Sequence, residues 1–418
     1  MTTTYSQAAS SLQVTTPLGS DKLLLTRLDG SEYLSQPFFF TLEMSCTDDK
    51  ADPSKLLGQA ATVKLIDGAK KTRFINGLVT RLTIEGSVWH AELRPWLWML
   101  TLATDSRIFQ DQSVTDIVTS VFKTQGFTDF KLSTTGSYDP LPYCVQYQET
   151  AFNFVSRLLE HFGIWYAFEH ADGKHTMVLA DDASALADCP DASVPYIELP
   201  PEKTWVADIR VGSAALVESV GSAKFQTTDF NFVTPTTSLL AKAAAKSGTM
   251  QVYDYPGLYQ SKADGSTIAK RRIEEFATPA KLLSGTSTVR SFAAGAKFTL
   301  TGHPSSNVNG DWALAEVTHH AEHRLYDNGF AAIPAATAYR PPRQAMKPRI
   351  AGSQTAMVVG KSGEEIWTDK YGRIKVQFHW DLVGGNNENS RAGSASRRAG
   401  PARAGAASSC RGSARKSW

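Results

Sequence analysis

The sequence predicts a mainly β protein with a few α-helices, arranged as barrel- or sandwich-like domains, and three observations carry that reading. Short stretches from residue 22 onward alternate apolar and polar side chains near period two, each bounded by Gly, Asp, Asn or Pro. Helical periodicity interrupts this pattern at only a few places. The patterned language then stops at about residue 390. From Arg391 to Trp418 the chain is almost only Ala, Arg, Gly and Ser, with no acidic residue and no apolar period. The length of 418 residues suggests two or three domains, because single cores stop growing near roughly 250–300 residues.

Residues 1–20 are polar and rich in Ser and Thr, the composition of a flexible leader. Strands are expected at 22–27, 33–44, 61–66 and 73–84, where β-branched and aromatic residues recur. The first helix is announced by Ser113 and Asp116, a capping-box pair ahead of Val114, Ile117, Val118 and Val121. Thr150 caps a second helix whose Val155, Leu158, Leu159 and Phe162 fall on one face, with Gly163 as its stop. A strand at 164–169 follows at once. Two more helices are expected at 239–246 and 267–277, then strands at 283–292, 297–301 and 312–322. Pro341-Pro342-Arg343 and Lys347-Pro348-Arg349 mark a linker. Beyond it, 355–360 and 366–381 read as strands, the second with a turn at 370–373.

Charge excludes one class of partner. Residues 391–418 hold seven Lys or Arg and no Asp or Glu, so residues 1–390 carry 36 basic against 41 acidic groups, a net of −5. That body has no basic field to attract nucleic acid. Cys46, Cys144, Cys189 and Cys410 are far apart and no secretory signal precedes them, so they read as reduced, mostly buried thiols. The longest apolar run, 96–103, is far short of the ~20 residues of a membrane helix. The chain is expected to assemble in the cytoplasm and to avoid the ordinary secretory route.

Few residues invite a chemical role, and each has a plainer one. His319, His320 and His323 form a His-His-x-x-His cluster, but on a strand His319 and His323 share one face while His320 points away. The Glu of a zincin helix is also missing. Glu149 and Glu160 resemble a glycosidase pair only in type: Glu149 lies where a helix N-terminus favours a carboxylate, and Glu160 sits on the helix itself. Cys144 has no nucleophile context. Trp96, Trp98, Trp165 and Trp380 lie among apolar strand residues, which favours core or subunit-interface packing over stacking on sugars or bases. Arg157 is expected either to meet an acid across an interface or to face solvent. No phosphate-binding loop, dinucleotide turn or nucleophile elbow is present. No catalytic, cofactor-binding or metal residue is assigned, no cofactor is expected, and the chain is read as a non-enzyme.

Several segments in order resemble one family: 94–101, the long stretch 143–170, 253–259, 298–304 and 370–381. The sequence is similar to the VgrG family, the spike proteins of the bacterial type VI secretion system, related to contractile phage tail hubs. The resemblance implies a homotrimer with a hub of two β-barrel-like subdomains at 21–340 that caps the Hcp tube. It also implies an OB-fold-like neck beginning in 341–390, a needle, a PAAR-type tip protein, baseplate components and effectors as partners, and export through the secretion apparatus itself. Here the neck is expected to be incomplete, its pattern breaking up after residue 389. Residues 391–396 and 408–418 can be back-translated so that dropping two nucleotides yields Gly-Trp-Val-Arg-Val and Val-Leu-Pro-Arg-Ile-Gly-Gln-Glu-Val-Val, both family-like. A frameshift is therefore expected, with 391–418 disordered because its composition has nothing to bury. The alternatives kept open are a phage-tail or contractile-particle hub, an inactive truncated copy, and a cell-wall or glycan hydrolase.

Overall fold

The computed structural model describes residues 6–390 apart from 69, 199–208, 324, 365–366 and 389, together with the backbone of Ser394–Ser396. The first strands are β1 (Leu12–Thr15), β2 (Leu23–Tyr33), β3 (Gln36–Cys46), β4 (Ala60–Ile66), β5 (Thr72–Glu85) and β6 (Val88–Arg94). Then come β7 (Thr104–Phe109), α1 (Val114–Thr124), β8 (Phe130–Ser133), β9 (Cys144–Thr150), α2 (Ala151–Phe162), β10 (Trp165–Ala171) and β11 (Lys174–Ala180). The second half holds β12 (Ala187–Pro195), β13 (Val211–Glu218), β14 (Lys224–Thr227), β15 (Ala241–Ala244), β16 (Gln251–Asp254) and α3 (Lys262–Ala277). It continues with β17 (Lys281–Ser287), β18 (Ala296–Thr301), β19 (Gly310–Glu322) and β20 (Leu325–Pro334). A small C-terminal sheet is made of β21 (Ala356–Val359), β22 (Arg373–Phe378) and β23 (Ser394–Ser396).

One 12-stranded sheet runs β1-β4-β5-β6-β3-β2-β19-β20-β17-β13, with β18 branching from β19 and β12 pairing β18. Its first half wraps a core closed by α1 and α2, in which Phe38, Phe40, Leu42 and Met44 of β3 all point inward. Such alternation is what a strand with one buried face must show. In β2 the alternation would turn Arg27 inward after Leu23 and Leu25. The register instead shifts between Leu25 and Arg27, and Leu28 becomes the fully buried residue. The second half builds a separate core on Phe292, Phe298 and Phe330, whose ring centroids lie 4.6 to 5.8 Å apart.

Both expected caps of the first two helices are present. Asp116 N–H donates to Ser113 Oγ at 3.2 Å, and Asn153 N–H to Thr150 Oγ1 at 3.1 Å. Gly163 ends α2 at φ 67°, a left-handed conformation that side chains other than Gly or Asn strain to adopt.

The structure corrects several local readings. Residues 1–20 are not all a loose leader: Leu12 and Val14 are buried and β1 pairs β4. The helix expected at 239–246 is strand β15, because pairing with β14 and packing on α3 outweigh the helix propensity of an Ala-rich run. The strand expected at 283–292 ends at Ser287 and gives way to turns, while α3 begins at Lys262, ahead of the expected 267. In the tail, the backbone of Ser394–Ser396 pairs antiparallel with β22 instead of being disordered; the rest of 391–418, with Cys410 and the expected frame change, lies outside the described residues.

Candidate functional site

Each candidate for chemistry is absorbed by the fold. His319 on β19 is buried, shares a hydrogen bond with Tyr326 Oη over 2.7 Å, and places Nε2 3.3 Å from Glu32 without hydrogen-bond geometry. His320 points to the other face and meets Asp29 at 2.6 Å. His323 does not share the face of His319, because the strand has ended and His323 sits in the following turn at φ 52°. Among the described residues no group of His, Cys, Asp or Glu is arranged to hold a metal ion.

Glu149 and Arg157 form a buried pair, Oε1 to Nη2 at 2.7 Å, and Arg157 also donates to Val145 O at 2.7 Å. Both readings of Arg157 are thereby corrected: it is neither at solvent nor paired across an interface. Glu160 accepts the backbone amides of Gln344 and Ala345. Burial pushes the Cys144 thiol up to about 12, so it stays protonated and unreactive. Trp96 is core, stacked on Phe127 at 5.0 Å and edge-on to Phe122 at 4.9 Å. Trp165 is core as well, and Trp98 is half-buried beside the Arg94 guanidinium. Trp380 stacks on Phe378 and donates to Gln354 Oε1 at 3.0 Å.

Two features escaped sequence reasoning. The first is an ionic knot where the two cores meet. Arg73 of β5 binds Glu32 of β2 and the carbonyls of Arg290 and Phe292 from the segment before β18. Burial alone would raise the Glu32 carboxyl, but Arg73 and His319 overcome it and hold it at about 2. Nothing in the spacing of Glu32, Arg73 and His319 signals their meeting. A cavity of about 360 Å³ lies beside this knot, lined by Phe74, Trp165, Phe168 and His170. The second feature is a run of exposed apolar side chains, Phe230, Val233, Met250, Tyr253 and Tyr255, on the lobe formed by β14–β16. Beside the lobe, Tyr371 in the turn before β22 meets Phe232 edge-on at 5.4 Å. An exposed apolar surface of this kind is a feature of interaction sites.

The profile of the phage tail baseplate hub family (GPD) matches residues 31–325. The chain belongs to that family. Among relatives of this hub protein, the type VI secretion system spike protein VgrG1b of Pseudomonas aeruginosa is 36% identical over 404 residues, which are 91% of this chain and 54% of the relative. VgrG1a of the same organism is 36% identical over 401 residues, 91% of this chain and 62% of the relative. The hub chain thus spans little more than half the length of these relatives. A solved Escherichia coli protein, c3393, superimposes with a TM-score of 0.67 at 21% identity, covering 90% of this chain and 91% of that one. That protein is described as a component of the type VI secretion system with structural similarity to the T4 bacteriophage tail proteins gp27 and gp5. The mainly β, tail-hub fold expected from the sequence is the fold observed.

Proposed function

We propose that this chain is the hub portion of a type VI secretion spike, a non-enzymatic part that works by assembly. The observation that carries this reading is the 36% identity to named spike proteins over 91% of the chain, within a baseplate hub family match. In this reading three copies associate, cap the Hcp tube and contact baseplate components. A PAAR-type tip and effectors are further partners in this reading. The hub comprises 21–340 and a neck begins in 341–390. The protein assembles in the cytoplasm and leaves with the apparatus. Among the described residues no helix is long and apolar enough to cross a membrane.

Co-purification of the full chain with the Hcp tube protein tests this reading. Retention of the chain on assembled tube, lost when the tube is dissociated, is the expected result; no retention at any concentration would remove tube capping. A phage-tail hub of the same architecture is the second reading, favoured by the family match itself, and would bind the tube protein of a phage tail instead.

A further inference from the structure

The segment between the hub and the C-terminal sheet reads in sequence as a linker, yet α2, α3 and the chain beside them hold Arg340 and residues 343–346. Arg340 donates to Gly163 O at 2.9 Å and Asp181 O at 2.6 Å, and its Nε donates to Glu274 of α3 at 2.8 Å. Arg343 N–H donates to Glu275 at 3.1 Å. Glu160 of α2 accepts the next two amides, Gln344 at 3.0 Å and Ala345 at 3.0 and 3.2 Å. Asn153, two turns earlier on α2, donates to Met346 O at 2.8 Å. Beyond this segment the C-terminal sheet is seated on the hub twice. Gln354 donates to Tyr147 Oη at 2.6 Å and accepts from the Trp380 indole N–H at 3.0 Å, and Arg373 lies over Phe232 at 5.5 Å.

A flexible tether leaves its backbone amides to water; here consecutive amides are given to buried or half-buried carboxylates, the stronger, charge-assisted kind of hydrogen bond. We infer that residues 340–346 are a clamp that fixes the direction of the C-terminal sheet on the hub, with Glu160 as its positioning residue. Arg340 forms the hub-side anchor and Glu160 the release point, since both amides it holds are freed together when its carboxylate is removed. The clamp is built from contacts within one chain, so it stands whether or not the assembly proposed above forms.

The test is limited trypsin digestion of the full chain and of Glu160→Ala, with cleavage after Arg343 and Arg349 followed by mass spectrometry. Alanine is the best helix former, so α2 is not expected to suffer from the change. Cleavage at these two bonds should accelerate about tenfold or more while cuts elsewhere in the hub keep their rates; Glu160→Gln, which retains one acceptor, should fall between. Unchanged rates at Arg343 and Arg349 would overturn the clamp. If Glu160→Ala does not fold, hydrogen exchange of the wild-type chain decides. Slow exchange at Gln344 and Ala345 supports the clamp, and exchange at the rate of an open coil overturns it.

Discussion

Arg157 reaches back across two turns of α2 to hold Glu149, with Nη2 and Oε1 2.7 Å apart and both side chains buried. The same carboxylate accepts from Asn153 at 2.6 Å, so the N-terminal end of the helix and the end of β9 are closed by one ionic group. Removing either partner leaves an uncompensated buried charge. Arg157→Ala is expected to cost about 3–5 kcal/mol, whereas the double change to Met and Leu should cost less than the single one. Denaturant unfolding of the three proteins checks this.

Acid should weaken the hub through its buried histidines. Burial lowers His175 to about 3 and His170 to about 4. In the unfolded chain both take a proton near an ordinary histidine value of about 6.5, while the folded forms resist it. Stability present above that pH is therefore lost as pH falls from about 6.5 toward 3, and for His175 the slope is about 1.4 kcal/mol per pH unit within that window. Glu32 adds a second loss between its ordinary range and about 2. Thermal unfolding from about pH 7.5 to about pH 4.5 should show a steady fall in midpoint, shallower in His175→Gln.

At Gly163 the backbone is left-handed, and Arg340 Cδ stands 3.0 Å from where a Cβ would lie, which leaves little room for a side chain. Gly163→Ala is expected to cost about 1–2 kcal/mol, and Gly163→Asn less, because Asn tolerates that conformation. Unfolding midpoints in urea distinguish the two.

Trp96 fills the space between Phe122 and Phe127 and donates its indole N–H to Asp129 O at 3.2 Å. Trp96→Ala should cost about 3–5 kcal/mol through the cavity it leaves. Trp96→Phe, which keeps a ring, should lose distinctly less, as measured by calorimetry.

What was legible in the sequence was local. Ser113, Thr150 and Gly163 announce helix ends because caps act over three or four residues, and the strands of the first core show their period directly. What was hidden depends on distant partners. Residues 241–244 become a strand only because β14 lies beside them, and Leu12 and Val14 are drawn inside only by β4. The Glu32–Arg73–His319 knot joins residues from three strands, and no spacing encodes it. The clamp at 340–346 looks like a Pro-rich spacer until α2 and α3 are seen against it.

The central claim, that this chain is an assembling hub, is tested most directly by its mass in solution. Light scattering across a concentration series should find a species near three times 45.5 kDa, roughly 136 kDa. A mass of one chain at every concentration would contradict it.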